Sequence, residues 1–211
     1  MFLHKTNFLL RALFPRYTWR VPTREKVIYL TFDDGPIPEV TEFVLETLGQ
    51  HRAQATFFCI GDNIRKHPGI YQLVQNGGHS IGNHTFNHLN GWKTDDQPYL
   101  ENFRQCQQQL GVTTRLFRPP YGRARRSQAA EILKTHDVIM WDVLTGDFSQ
   151  SLTPDVVLAK TLKYTEPGSI LLFHDSLKAW PRMSYALPRV LDHFSEQGYR
   201  FERLPQTTPG S

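Results

Sequence analysis

Seven short apolar runs, the first six each followed by a helical pattern, constrain this chain more than any other feature. The runs are 27–32, 55–59, 79–82, 115–118, 137–141, 169–173 and 199–203; the helical patterns are 39–50, 63–76, 96–110, 126–134, 154–164 and 182–196. Local punctuation agrees with them. Thr153 before Pro154 reads as an N-cap ahead of a first-turn proline, and Gly77-Gly78 and Gly198 fit helix C-terminal stops. Strand and helix in alternation predict a parallel sheet wound with helices. About seven such strands and no Gly-rich dinucleotide turn favour an α/β fold, a distorted (β/α) barrel, over a Rossmann sheet. With 211 residues the chain suits one core, and no internal repeat or linker divides it.

Charge separates the chain into parts. Residues 1–26 hold Lys5, Arg11, Arg16, Arg20, Arg24 and Lys26 against Glu25, while the remainder carries 18 basic and 19 acidic side chains. The expected organisation is a basic amphipathic N-terminal segment (1–26), a single folded domain (27–205) and a C-terminal tail (206–211). A body without excess positive charge argues against a nucleic-acid partner. Residues 2–14 mix Phe and Leu with Lys5 and Arg11. They read as a helix packed on the body or as a peripheral contact with an anionic membrane surface. Arg11 interrupts the apolar region and no small-residue cleavage site follows, so no export signal is legible. The expectation is a cytoplasmic or membrane-peripheral protein unless a signal precedes this stretch. Cys59 and Cys106 are unclustered and read as buried thiols.

Polar residues gather where the apolar runs end. Val27-Ile28-Tyr29-Leu30 leads into Thr31-Phe32-Asp33-Asp34-Gly35-Pro36, so two carboxylates sit at the C-terminal end of a core strand. In a regular strand they would point to opposite faces, but the Gly-Pro turn can aim both into one mouth. Like charges so close need a cation, a shared proton or an arginine. After the third run comes His84-Thr85-Phe86-Asn87-His88, whose spacing predicts two imidazoles on one side of a helical turn. With the Asp pair this makes a His, His, Asp set suited to Zn²⁺ or a related divalent ion with open positions. The same set suits a non-haem iron oxygenase, which has no use for a doubled Asp or a separate acid histidine. His79 reads as a core or supporting residue.

Further on, Arg118 ends a strand before Pro119-Pro120-Tyr121-Gly122, a turn able to hold backbone N–H groups toward an oxyanion. Trp141-Asp142-Val143-Leu144-Thr145-Gly146-Asp147-Phe148 closes the fifth run, and Ile170-Leu171-Leu172-Phe173-His174-Asp175 closes the sixth. Each alone has an ordinary structural role open to it: ion pair, cap or core histidine. Together they place polar groups at five strand ends, where barrels of this type build active sites. Arg123, Arg125 and Arg126 follow the Tyr121 turn; facing the groove, they would suit an acidic or phosphate-bearing ligand.

These five motifs, in this order between about Val27 and Arg203, resemble the polysaccharide deacetylases of carbohydrate esterase family 4. The resemblance implies metal-dependent removal of N-acetyl groups from N-acetylglucosamine-containing glycans of chitooligosaccharide or peptidoglycan type. O-deacetylation of a polysaccharide such as xylan, or weak catalysis with retained glycan binding, is the alternative. It implies Asp34, His84 and His88 as ligands of one divalent metal, most often zinc, with cobalt, nickel or manganese as substitutes. Asp33 would be the general base, Arg118 its electrostatic partner, the Tyr121 amide an oxyanion donor, and His174, paired with Asp147, the general acid. Leu172, Phe148 and Trp141 would line the substrate pocket, and the partner would be an acetylated amino-sugar glycan. Two departures alter the pocket wall: Phe148 stands where the family often has Trp, and Leu144 where it often has an acid.

Overall fold

The computed structural model describes residues 3–205; the expected tail at 206–211 lies outside the described residues. Its centre is β1 (Val27–Asp33), every residue of which is buried. Alternation explains why. Ile28, Leu30 and Phe32 point outward under helices α2 (Val40–Gln50) and α8 (Trp180–Glu196), while Val27 and Tyr29 point inward with Phe58, Leu116, Ile139 and Ile170. A strand covered on both faces reads as a continuous apolar run, which is how it was legible.

On one side of β1 lie, in order, β2 (Ala55–Cys59), β3 (Ser80–Asn83), β4 (Leu116–Phe117) and β5 (Asp137–Val138). On the other lie β7 (Ile170–His174) and then β6 (Val143–Leu144); β8 (Arg200–Phe201) pairs with the start of β1. All named pairings are parallel. The edges β5 and β6 are opposite ends of the sheet, yet Val138 and Val143 are separated by a span of no more than about 18 Å of extended chain. The sheet must therefore curl. One stretch closes it: Ile139 N bonds Phe117 O on the β4 side, and Asp142 N bonds Ile170 O on the β7 side. The expected strand at 137–141 is thus two short strands that hand the chain from one edge to the other.

The N-terminal segment packs into this seam. Bridges join Lys5 to Val143, Thr18 to Ile139 and Arg20 to Ser169. Helix α1 (Phe8–Leu13) rests Leu10 against a cluster built on Trp19, Tyr99 and Phe103, leaving Phe8, Leu9 and Leu13 exposed. Lys5 and Arg11 both reach the fully buried Asp142, and Lys5 and Arg20 reach Glu166.

The outer helices follow the sequence with one break. The pattern at 63–76 divides into α3 (Gly61–Lys66) and α4 (Pro68–Asn76), since Pro68 has no N–H and its ring excludes helical geometry from His67 (φ −128°, ψ 57°). Helices α5 (Asp96–Leu110), α6 (Arg126–Ile132) and α7 (Pro154–Tyr164) lie where expected, and the Thr153 side chain accepts from Val156 N. Cys59 and Cys106 are buried and unpaired as disulfides. Among the described residues no helix is long and apolar enough to cross a membrane.

Candidate active site

Asp33 and His174 end adjacent strands in direct register, β1 beside β7. Their inward neighbours are Thr31 and Leu172, two residues back on the same faces, so the site floor is already set by the pleat. Arg118 comes off the end of β4, wholly buried under the site. Its guanidinium donates to Asp33 Oδ1 at 2.7 Å, Thr31 Oγ1 at 2.8 Å, Ile139 O at 3.1 Å and Met140 O at 2.8 Å. The Phe58 ring lies 4.1 Å from its centre and Trp141 6.0 Å. Burial pulls the Arg118 proton affinity down and the Asp33 carboxylate pulls it back up. An arginine keeps its charge regardless, so Asp33 faces a fixed cation in a site with little water.

Asp34 has a left-handed backbone, with φ of +86°, and both carboxylates approach His84 Nε2, Asp33 Oδ2 at 3.7 Å and Asp34 Oδ1 at 3.8 Å. The next residue has to be glycine: a Cβ on Gly35 would lie 1.9 Å from Asp175 Oδ2. Asp175 itself accepts from Gly35 N at 3.0 Å and from the Thr41 hydroxyl at 2.6 Å, and its own N–H donates to Asp33 O. Burial raises this carboxyl to about 8 despite the Thr41 bond. Asn63 completes the turn by donating to Asp34 O at 2.7 Å.

His84 and His88 do meet, but not on a helix. The segment is an irregular loop in which Thr85 and His88 both have positive φ (61° and 56°). Buried amides hold it: Asn83 Oδ1 accepts from Thr85 N, and Asn102 Oδ1 from Phe86 N and Asn87 N. The imidazole centroids lie 5.0 Å apart. His84 Nδ1 donates to Arg118 O at 2.7 Å, which leaves Nε2 as a lone pair. Burial depresses His84 to about 4, against the pull of Asp33, so the ring is neutral at pH 7.

One ligand-capable atom from each of Asp34, His84 and His88 lies within 4.8 Å of the others. Asp34 Oδ1 is buried without a hydrogen-bond partner, facing His88 Nε2 at 3.2 Å and His84 Nε2 at 3.8 Å. Burial would raise the Asp34 carboxyl, and the imidazoles of His88, His174 and His84 outweigh it and hold it well below the usual range. An orphaned carboxylate oxygen beside two imidazoles, one with a fixed tautomer, fits a divalent cation.

His174 is held by the fully buried Asp147, whose Oδ1 meets Nδ1 at 2.8 Å and whose Oδ2 accepts the His174 backbone N–H at 2.7 Å. Burial lowers the imidazole's proton affinity, but the Asp147 charge and hydrogen bond prevail and raise it to about 9. The Phe148 ring stands edge-on to His174 at 5.2 Å. Tyr121 (φ +60°) lies on the open rim with its ring 4.6 Å from His88. The turn's hydrogen bonds run from Gly122 to Pro119 and from Arg123 to Pro120, which leaves the Tyr121 amide out of them.

A model of the polysaccharide deacetylase family matches residues 20–140. The chain belongs to the polysaccharide deacetylase family. A peptidoglycan-N-acetylglucosamine deacetylase from Bacillus cereus is 35% identical over 195 residues, covering 87% of this chain and 89% of that protein. A chitooligosaccharide deacetylase from Azorhizobium caulinodans is 35% identical over 165 residues, 74% of this chain and 77% of that one. A solved peptidoglycan N-acetylglucosamine deacetylase superimposes with a TM-score of 0.86 at 30% identity, covering 95% of each chain.

Asp33, Asp34, His84, His88, Arg118, Tyr121, Asp147 and His174 gather around the C-terminal strand ends, and Leu172 lies two residues back along β7; His79, read as a core or supporting residue, lies elsewhere. His79 accepts from Ala55 N at the start of β3, the opposite end, and burial lowers it to about 4. Sequence reasoning missed Asp175, Thr41, Asn63, Asn102 and Arg182. Arg182, buried on α8, donates from Nε to Asp147 O at 2.6 Å and from Nη2 to Lys178 O. Only Asp175, as the neighbour of His174, lay beside a motif; the rest sit in helices with no local signal.

Proposed function

We propose that this chain is a metal-dependent deacetylase that hydrolyses N-acetyl groups of N-acetylglucosamine residues in a peptidoglycan-type or chitooligosaccharide-type glycan. One observation carries the reading: a carboxylate, Asp33, and a carboxylate-paired imidazole, His174, occupy paired strand positions beside Asp34, His84 and His88. Those three would hold one divalent ion, zinc by the donor set, with cobalt, nickel or manganese as substitutes. When bound, such an ion polarises the acetyl carbonyl and acidifies water.

The side chains supply the rest. Asp33 takes a proton from the attacking water, with Arg118 as the ion-pair partner that orients it. The Tyr121 amide donates to the oxyanion that forms on the acetyl carbon. His174 gives its Nε2 proton to the sugar nitrogen as the C–N bond breaks; acetate leaves with the water's oxygen, and an amine remains on the sugar. Leu172, Phe148 and Trp141 form the wall for the acetyl group and its sugar, Leu172 sharing the inward face with His174.

Acetate release from chitooligosaccharides, peptidoglycan fragments and acetylxylan, with metal-free, Zn²⁺-loaded and Co²⁺-loaded protein, tests this. The expected result is metal-dependent release from N-acetylated glycans that Asp33→Asn slows by ~10²–10⁴. Release from acetylxylan alone would make it an O-deacetylase, and tight metal binding without release a glycan-binding relative.

We also read the exposed Leu3, Phe8, Leu9 and Leu13 as a peripheral contact with a membrane surface, at which the enzyme would act. Lys5, Arg11 and Arg20 are committed to Asp142 and Glu166, so binding would be driven by the apolar side chains. Sedimentation with anionic vesicles should then be only weakly salt-sensitive and be lost in Phe8→Ser/Leu9→Ser. No sedimentation removes the idea.

A further inference from the structure

Trp92 is a large apolar side chain, 60% exposed, on a mount too rigid for an incidental surface residue. It lies in a short 3-10 turn (Gly91–Lys93), four residues beyond His88 and so within about 14 Å of it along the backbone. Its amide donates to Asn90 Oδ1 at 3.1 Å, and its indole N–H donates to Ala124 O at 3.2 Å. Fully buried Gln128 holds the backbone of the turn: it donates to Gly91 O and Thr94 O, and its Oε1 accepts from Arg125 N. Gly91 is glycine for the same reason: a Cβ there would meet Gln128 Oε1 at 2.5 Å and Arg123 O at 2.6 Å.

This mount stitches the loop after His88 to the segment after Tyr121, through Gly91 N and Arg123 O at 3.1 Å. Arg123 then lays its guanidinium over the indole, 4.9 Å from the ring centre, and makes no ion pair among the described residues. Its neighbour differs: Arg125 is engaged by Asp95 at 3.1 Å and Asp96 at 3.8 Å. Unlike Arg125, Arg123 therefore has a charge that no ion pair takes up and a place fixed against the Trp92 ring. A pyranose ring presents an apolar C–H face that packs on an indole, and a carboxylate on that sugar meets a guanidinium.

We propose that Trp92 and Arg123 form a sugar subsite beside the Tyr121 rim. Trp92 stacks a pyranose of the glycan strand, and Arg123 selects strands whose sugars carry a carboxylate. This rests on the deacetylase reading and narrows its substrate to acidic N-acetylated glycans such as peptidoglycan strands.

The test is binding by calorimetry, which is independent of turnover, using three probes. They are a peptide-free peptidoglycan glycan, the same glycan with its carboxyls reduced to alcohols, and a neutral chitooligosaccharide of equal length. Wild type should bind the carboxylate strand several-fold more tightly than the reduced one. Arg123→Ala should remove that preference while leaving the reduced strand's affinity unchanged, and Trp92→Ala should weaken all three about tenfold. Equal wild-type affinity for intact and reduced strands, or a preference that survives Arg123→Ala, overturns the proposal. Acetate measured on the same wild-type samples tests the deacetylase reading separately, so binding that follows the prediction without acetate release would sink that reading and keep the subsite.

Discussion

His174 shows how one buried neighbour decides what a side chain can do. Burial alone would strip the imidazole of its proton, yet the Asp147 carboxylate raises it from 6.5 to about 9. The folded value lies above the unfolded one, so the pair stabilises the fold fully below about pH 6.5. That contribution fades as pH rises through about 9. As the proposed proton donor, His174 is likewise charged up to that pH. The kcat/KM profile is expected to fall on its alkaline side near pH 9, and Asp147→Asn should move that limb lower. A limb that does not move would assign the proton donor elsewhere. Asp33→Asn should cost ~10²–10⁴ in turnover, the usual scale for an acid–base group, with metal content unchanged. Metal loss in that variant would make Asp33 a ligand instead.

At the scale of elements, the strand ends aim the site and buried polar groups lock it. Arg118 is the strongest such lock, since four bonds from one guanidinium tie β1 to the stretch leaving β5. The β1 turn is the tightest, because Asp175 occupies the space a Gly35 side chain would need. Gly35→Ala is expected to unfold at markedly lower denaturant and to lose metal affinity by displacing Asp34. Asp175→Ala removes the obstruction, so the double variant should be less destabilised than the sum of the singles. Strict additivity in that cycle would mean that the two positions do not collide.

For the molecule as a whole, the N-terminal segment is what fills the seam left by an incomplete barrel. Asp142 is a fully buried carboxylate whose partners are Lys5, Arg11 and the Ser169 hydroxyl. Removing both cations would strand that charge, and losing one side of a buried pair typically costs ~3–5 kcal/mol. Lys5→Ala/Arg11→Ala is therefore expected to shift the urea midpoint strongly, and a shift within error would show that solvent or Ser169 satisfies Asp142 alone. The +5 balance of residues 1–26 reads in sequence as a charge meant for outside partners. Tertiary structure pairs half of its cations with acids that lie more than a hundred residues away.

The sequence alone determined the barrel and the strand ends around which the candidate site gathers. Strands buried on both faces announce themselves as apolar runs, and a polar residue that ends such a run has only the mouth of the sheet to enter. That logic placed Asp33, Asp34, Arg118, Asp147 and His174 without coordinates. It failed where meaning depends on contacts distant in sequence. His84 and His88 meet through left-handed backbone supported by Asn102, not through helical spacing. Arg182 reaches Asp147 from a helix with no local mark, and the mount of Trp92 exists only because Gln128 holds the backbone of its turn and Arg123 lies against its ring. Periodicity reports which face of an element is buried. Which buried groups touch is decided by closure of the sheet, when the chain between β5 and β6 brings its two edges together.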